Sequence, residues 1–81
     1  MVKPNNRPAN MRMTLKMARE LCGMTQKDAA ERIGVNEATL GNYEQGKTYP
    51  DIPTLRKIEE TYGVNYNQLI FLPLYFGKTE A

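Results

Sequence analysis

The chemistry open to this chain of 81 residues is bounded first by what it lacks. It has no histidine and a single cysteine, Cys22, so neither a zinc site nor a histidine-based acid–base site can be assembled. Its carboxylates are scattered over what read as helix surfaces, and Cys22 falls on an apolar helical stripe, where a thiol behaves as a small core residue. No nucleophile, base or metal-ligand cluster emerges, so the expectation is a non-enzyme without a cofactor. The polar groups that could do something else are concentrated in residues 25–47, TQKDAAERIGVNEATLGNYEQGK. There Glu37, Ala38, Gly41 and Asn42 share the outward side of a short helical pattern. A carboxylate, an amide and small apolar surfaces suit recognition rather than bond making.

The elements that must position them can be read from caps and spacing. Thr25 opens a helix, with Asp28 three residues on in the place of a capping box and favourable to the helix dipole. Ala29, Ala30 and Ile33 are its inward positions, and Gly34 ends it with a left-handed turn that only glycine adopts at no cost. Asn36 is a good N-cap for the next helix, and Val35 with Leu40 has the spacing of a hydrophobic staple. Leu40 and Tyr43 face inward, and Gly46 closes the helix. Two helices that cross steeply and nearly touch need a small residue in the first, a glycine at the turn and bulky anchors on the second. Ala30, Gly34, Leu40 and Tyr43 meet those needs in order, which describes a helix-turn-helix of the kind that enters a DNA groove.

Around this pair the chain supplies a small all-α frame. From Met11, apolar residues at Met11, Leu15, Ala18, Leu21 and Cys22 mark the buried stripe of a first helix ended by Gly23, with Met13 and Met17 as flexible core packing. Asp51 and Pro53 start a fourth helix whose buried face is Leu55, Ile58 and Tyr62, and Gly63 stops it. Val64, Asn65, Gln68 and Leu69 repeat the staple, cap and capping-box places for a short fifth helix, interrupted at Pro73. No alternating strand pattern precedes residue 69. The expected fold is compact and all-α, with five helices over residues 11–72, preceded by a flexible basic arm over residues 1–10. Residues 69–76, LIFLPLYF, contain seven apolar residues out of eight. Left exposed, such a segment invites aggregation. It must fold back on the domain or cover a partner, with self-association through residues 73–81 and their approach as the partner mode.

The residues now in place resemble the phage repressor and Cro-like helix-turn-helix proteins, the xenobiotic-response-element family, over about residues 13–72. The marks are Arg19, Thr25-Gln26, Ala30, Gly34-Val35, the run Tyr43-Glu44-Gln45-Gly46-Lys47, Pro50, and the Gly63-Val64 step. The resemblance implies a lambda-repressor-like fold. It implies that Gln26 binds a backbone phosphate and that Asn36, Glu37, Ala38 and Asn42 face base edges in the major groove. Lys27, Thr39, Lys47, Thr48 and Tyr49 would touch phosphates. Arg19 and Glu44 would form an internal ion pair tying the first helix to the third. The recognition helix departs from the commonest guanine reader, since it holds no Arg or Lys. Glu37 could accept from a cytosine amine, Ala38 could pack on a thymine methyl, and Asn42 could pair with adenine.

These readings together predict a sequence-specific double-stranded DNA-binding transcriptional regulator, a repressor acting as a homodimer. Leu69, Phe71, Leu72, Leu74, Tyr75 and Phe76 would make the dimer contact. The alternative is an antitoxin-like or regulatory interaction module that engages a protein partner or antagonist through residues 69–76. The net charge of +2 does not by itself point to nucleic acid, so any basic surface must come from placement. No apolar run reaches the roughly 18 residues of a membrane span, and the first residues lack a signal peptide's apolar region. A single cysteine suits a reducing, cytoplasmic setting.

Overall fold

The computed structural model describes residues 12–71. The arm at residues 1–10, Met11, and the tail residues Leu72, Leu74, Tyr75 and Phe76 lie outside the described residues.

The order of elements is β1 (Met13–Thr14), α1 (Leu15–Leu21), α2 (Gln26–Ile33), α3 (Glu37–Gln45), α4 (Ile52–Tyr62), a single 3-10 turn (Tyr66–Gln68) and β2 (Leu69–Ile70). Four of these are α-helices, of 7, 8, 9 and 11 residues. Each is shorter than the ~12–15 residues at which an isolated helix becomes marginally stable in water. Local capping therefore matters at every start. Thr14, Thr25, Asn36 and Asp51 each adopt an extended backbone, and each side chain accepts from the amide three residues on. At Thr25 the box is reciprocal, because Asp28 Oδ2 in turn accepts from the Thr25 amide at 3.4 Å.

The first helix corrects the reading from spacing. Thr14 is its N-cap, its Oγ1 accepting from Met17 N at 3.1 Å, so the helix begins at Leu15 and not at Met11. Met13 lies before the cap in an extended segment and is fully buried. Leu15 and Ala18 are buried, Cys22 is half-buried against the core, and Leu21 and Met17 are 48% and 43% exposed.

Met13 and Thr14 pair in parallel with Leu69 and Ile70, a two-stranded element that the all-α expectation did not contain. A fifth α-helix is not formed. The capping-box contact is present, with Gln68 Oε1 accepting from Asn65 N at 3.0 Å. However, the chain makes only the 3-10 turn before Leu69 goes extended at φ −97°, ψ 138°. The continuous apolar run that follows does not distinguish a helix from a buried strand by periodicity. Pairing with β1 decides it. Leu69, expected at a dimer contact, is 7% exposed inside the core of its own domain, so it has no face left for a partner.

One core joins the four helices and the two strands. Met13, Leu15, Ala18, Ala29, Ala30, Ile33, Leu40, Tyr43, Ile58, Tyr62, Val64 and Leu69 are buried, with Leu55 and Phe71 packed at the edge. Burial raises the pKa of Tyr62, and to a lesser extent that of Tyr43. Both phenols remain neutral at physiological pH.

Met13 and Met17 are chemically identical and four residues apart, and the fold gives them opposite environments. Met13→Ala should cost about 2–4 kcal/mol in urea unfolding, the usual range for truncating a core side chain. Met17→Ala should cost well under about 1 kcal/mol. Equal losses would place the helix start wrongly.

Candidate nucleic-acid interface

The link between α2 and α3 is three residues long and is held by backbone and capping hydrogen bonds. Gly34 takes φ 95°, ψ 27°, a left-handed conformation that costs a residue with a Cβ roughly 1 kcal/mol or more. Its amide donates to Ala30 O at 2.8 Å, and Val35 N donates to the same carbonyl at 3.0 Å. Asn36 Oδ1 then accepts from Thr39 N at 2.8 Å and starts α3. Ala29, Ala30 and Leu40 are almost wholly buried and belong to the same core cluster. Ala30, Leu40 and Tyr43 thus lie in one core, and Gly34 makes the left-handed turn between the two helices.

A charged knot holds the other end of α3. Glu44 Oε2 accepts from Arg19 Nε at 2.7 Å, and its Oε1 accepts from Arg19 Nη2 at 3.3 Å and from Gln26 Nε2 at 3.0 Å. Arg19 Nη1 also donates to Met24 O at 3.0 Å. One carboxylate therefore ties α1, α2 and α3 together. Arg19 and Glu44 are each 9% exposed, so the pair is mostly withdrawn from water. The hydrogen bond to Glu44 raises the pKa of Arg19 despite the opposing effect of burial, and the guanidinium stays charged.

Gln26 has a double position. Half-buried, it donates one amide proton to Glu44, and a carboxamide nitrogen carries two. Its amide also lies over Gly41. A Cβ added at Gly41 would meet Gln26 Nε2 at 3.6 Å and Oε1 at 3.7 Å. Gly41 was expected to face outward. It is buried, under the Gln26 side chain, and so is a packing position rather than a contact surface.

On the far side, Gln26, Asn36, Glu37, Ala38, Asn42 and Gln45 rim a shallow depression floored by Gly41. Asn36, Glu37, Ala38 and Gln45 are exposed, while Asn42 and Thr39 are half-buried. Gln45 was not among the residues predicted to line this face. The signal was available, since it stands three residues after Asn42 and eight after Glu37, the spacing of one helix face. Asn36 is present but partly committed, since its carbonyl oxygen caps α3 and leaves its amide nitrogen as the donor.

The flanks are set by backbone bonds. Lys27 is exposed in the first turn of α2, and Lys47, Thr48 and Tyr49 are exposed beyond α3. Lys47 N donates to Asn42 O at 2.9 Å, which fixes where that loop leaves the helix. Tyr49 also has a ring neighbour. Its ring stands edge-on to Phe71, with centroids 6.2 Å apart, on a groove beside the recognition face. Among the described residues no cluster of three or more His, Cys, Asp or Glu could hold a metal ion, and no helix is long and apolar enough to cross a membrane.

Comparison with known proteins agrees with this geometry. The family model described as helix-turn-helix matches residues 15–69. The chain belongs to the helix-turn-helix family. It is 41% identical over 67 residues to the HTH-type transcriptional regulator ImmR of Bacillus subtilis (strain 168), covering 83% of this chain and 48% of that protein. It is 36% identical over 56 residues to the SPbeta prophage-derived uncharacterized HTH-type transcriptional regulator YonR of the same strain, covering 69% of this chain and 52% of YonR. Multiprotein-bridging factor 1 of Candida glabrata is 35% identical over 63 residues, covering 78% of this chain and 42% of that protein. The chain thus spans about half the length of these relatives. No solved structure matches. The matched region, α1 to the start of β2, coincides with the helix-turn-helix and the elements that brace it.

Two substitutions probe the bracing. Glu44→Ala strips Arg19 and Gln26 of their common acceptor and should cost about 2–3 kcal/mol, near the lower limit for breaking a buried pair because Arg19 keeps one edge toward water. Recovery of most of that loss in a Glu44→Leu, Arg19→Met double variant would mark the pair as a source of orientation; additive losses would not. Gly41→Ala should be tolerated, because 3.6 Å is an ordinary contact distance, and should stabilise by up to about 1 kcal/mol through helix propensity. Strong destabilisation would show that Gln26 cannot yield to the added methyl.

Proposed function

We propose that this chain is a sequence-specific double-stranded DNA-binding transcriptional regulator, a repressor that acts as a homodimer and places residues 36–45 of each subunit in a major groove. The observation that carries the reading is the exposed face of α3, flanked at both ends by groups suited to phosphates. Gln26, through its second amide proton, and Lys27 lie on the α2 side. Lys47 and Thr48 lie on the other, with Thr39 between. The regulators among the relatives, ImmR and YonR, support the assignment.

Under this reading the base readers are uncharged or acidic. Asn42 and Gln45 can each pair bidentately with adenine, Ala38 can meet a thymine methyl, and Glu37 can accept from a cytosine amine. Asn36, with its oxygen engaged in the cap, reads as a donor only. Affinity then rests on Lys27, Lys47 and the amides, and falls steeply with salt. Half-sites would stand one turn apart, about 34 Å.

Selection of bound duplexes from a random pool tests the proposal. The expected outcome is a two-fold symmetric consensus. Asn42→Ala should relax one base position in each half-site by roughly 1–3 kcal/mol. Lys47→Ala should weaken all sequences alike and reduce the salt slope by about 1. No enrichment over background at low salt would overturn the reading.

A further inference from the structure

Four of the side chains around the depression on α3 end in a carboxamide: Gln26, Asn36, Asn42 and Gln45. Their hydrogen bonds sort them into two kinds. Gln26 commits an amide proton to Glu44 Oε1 at 3.0 Å, and Asn36 commits its oxygen to Thr39 N at 2.8 Å. Among the described residues the carboxamides of Asn42 and Gln45 make no hydrogen bond to the protein. Each therefore presents a donor and an acceptor together. Adenine alone among the four bases offers the matching set, one donor at N6 and one acceptor at N7, on its own major-groove edge. The two residues flank Tyr43 and Glu44, which anchor α3 and are each 9% exposed. Lys47 N donates to the Asn42 carbonyl at 2.9 Å, so the helix is closed just beyond Gln45. Three residues apart, they share one face and stand about 4.5 Å apart along the helix axis, against a base-pair rise of about 3.4 Å. That spacing suits neighbouring base pairs.

We propose that Asn42 and Gln45 read adenines in neighbouring base pairs, and that a methyl group on N6 of either adenine closes the site to the duplex. Binding would then follow the adenine methylation state of the operator. The inference rests on the DNA reading above and adds the ligand feature that switches it. Adenine N6 carries two hydrogens, one paired to thymine O4 and one facing the major groove. When N6 is methylated and the base pair persists, the methyl group must take the groove position. The A·T pair then shows no donor in the major groove, only acceptors and methyl groups. A carboxamide oxygen set against that methyl group is unpaired and cut off from water, the costly arrangement for a polar group. Nothing else on the face offsets the loss. Glu37 is suited to cytosine, Ala38 is apolar, and residues 37–45 hold no Arg or Lys to take a guanine instead. The flanking Lys27 and Lys47 are suited to phosphates, which methylation leaves unchanged. A helix that read guanine through arginine would be indifferent to this modification, whereas this one depends on the adenine amine.

The full chain is used to select duplexes from a random pool, and the enriched duplex is then synthesised with N6-methyladenine at single positions. The expected consensus holds two neighbouring A·T pairs in each half-site. A methyl group on either adenine should weaken binding roughly 5- to 150-fold, the discrimination of one bidentate pair. Methyl groups on adenines elsewhere in the duplex should leave binding unchanged, which separates readout from any effect on the duplex itself. This series on the unaltered protein needs no variant to fold. Asn42→Ala should then remove sensitivity to one of the two methyl groups and Gln45→Ala to the other. Lys47→Ala should weaken methylated and unmethylated duplexes by the same factor. Equal binding of the methylated duplex, a consensus without neighbouring A·T pairs, or a methyl effect that persists in both alanine variants would overturn the inference and leave the DNA reading standing. Absence of any enriched duplex at low salt would fail the DNA reading itself.

Discussion

A helix that buries only one side has little with which to hold itself in place, and α3 meets that constraint through Glu44. Its nine residues bury only Leu40, Gly41, Tyr43 and Glu44. Leu40 and Tyr43 give it adhesion, which is non-directional and tolerates rotation about the helix axis. The carboxylate of Glu44 gives direction, since it must satisfy Arg19 from α1 and Gln26 from α2 together. A buried ion pair is weak evidence for net stability. Here its consequence is orientation. Rotating α3 would break bonds to two other helices and strand a carboxylate and a guanidinium that are each 9% exposed.

The same knot reaches the surface through Gln26. Its amide is held by Glu44 on one side and rests over Gly41 on the other. A side chain that would otherwise sample several rotamers on the first turn of α2 is thereby set before any ligand arrives, which lowers the ordering cost of binding. Small residues make this closeness possible: Ala29 and Ala30 beneath the crossing, and Gly41 beneath Gln26.

Much of this architecture is written locally, and what is local was legible. The caps at Thr25, Asn36 and Asp51, the turn at Gly34 and the inward residues Ala30, Ile33, Leu40, Ile58 and Tyr62 follow from hydrogen-bond demand and helical period, and the structure has them there. What escaped depends on distant partners. Met13 reads as flexible core packing within a helix begun at Met11 until Thr14 is recognised as the cap, and its extended backbone has meaning only beside Leu69, 56 residues later. The apolar run from Leu69 could as well continue a helix, and pairing with β1 is a tertiary choice. Gly41 looked outward by period alone, because periodicity cannot see that a side chain from α2 folds over it. At the candidate site, Gln45 was hidden by being one mark in a run of family residues, although the same helical arithmetic that singled out Asn42 reaches it.

The site's chemistry follows from this division between adhesion and direction. Among Asn36, Glu37, Ala38, Asn42 and Gln45 none is cationic, so the face that would read bases contributes no favourable long-range attraction to a polyanion. Attraction must come from the flanks, and a net charge of +2 leaves little of it. Amide side chains discriminate through geometry: a misplaced carboxamide leaves a desolvated donor or acceptor unpaired, at a cost of about 1–3 kcal/mol. Such a reader works only if its backbone is held to within about 0.5 Å, and the bonds of Gln26, Glu44 and the Asn36 cap are what hold α3. Under the homodimer reading proposed above, weak electrostatic capture by one subunit would make a second subunit valuable, because linked half-sites multiply modest affinities without adding contacts to either. Under the proposed reading, a poorly charged, well-oriented α3 would place specificity in each monomer's geometry and affinity in joining two of them.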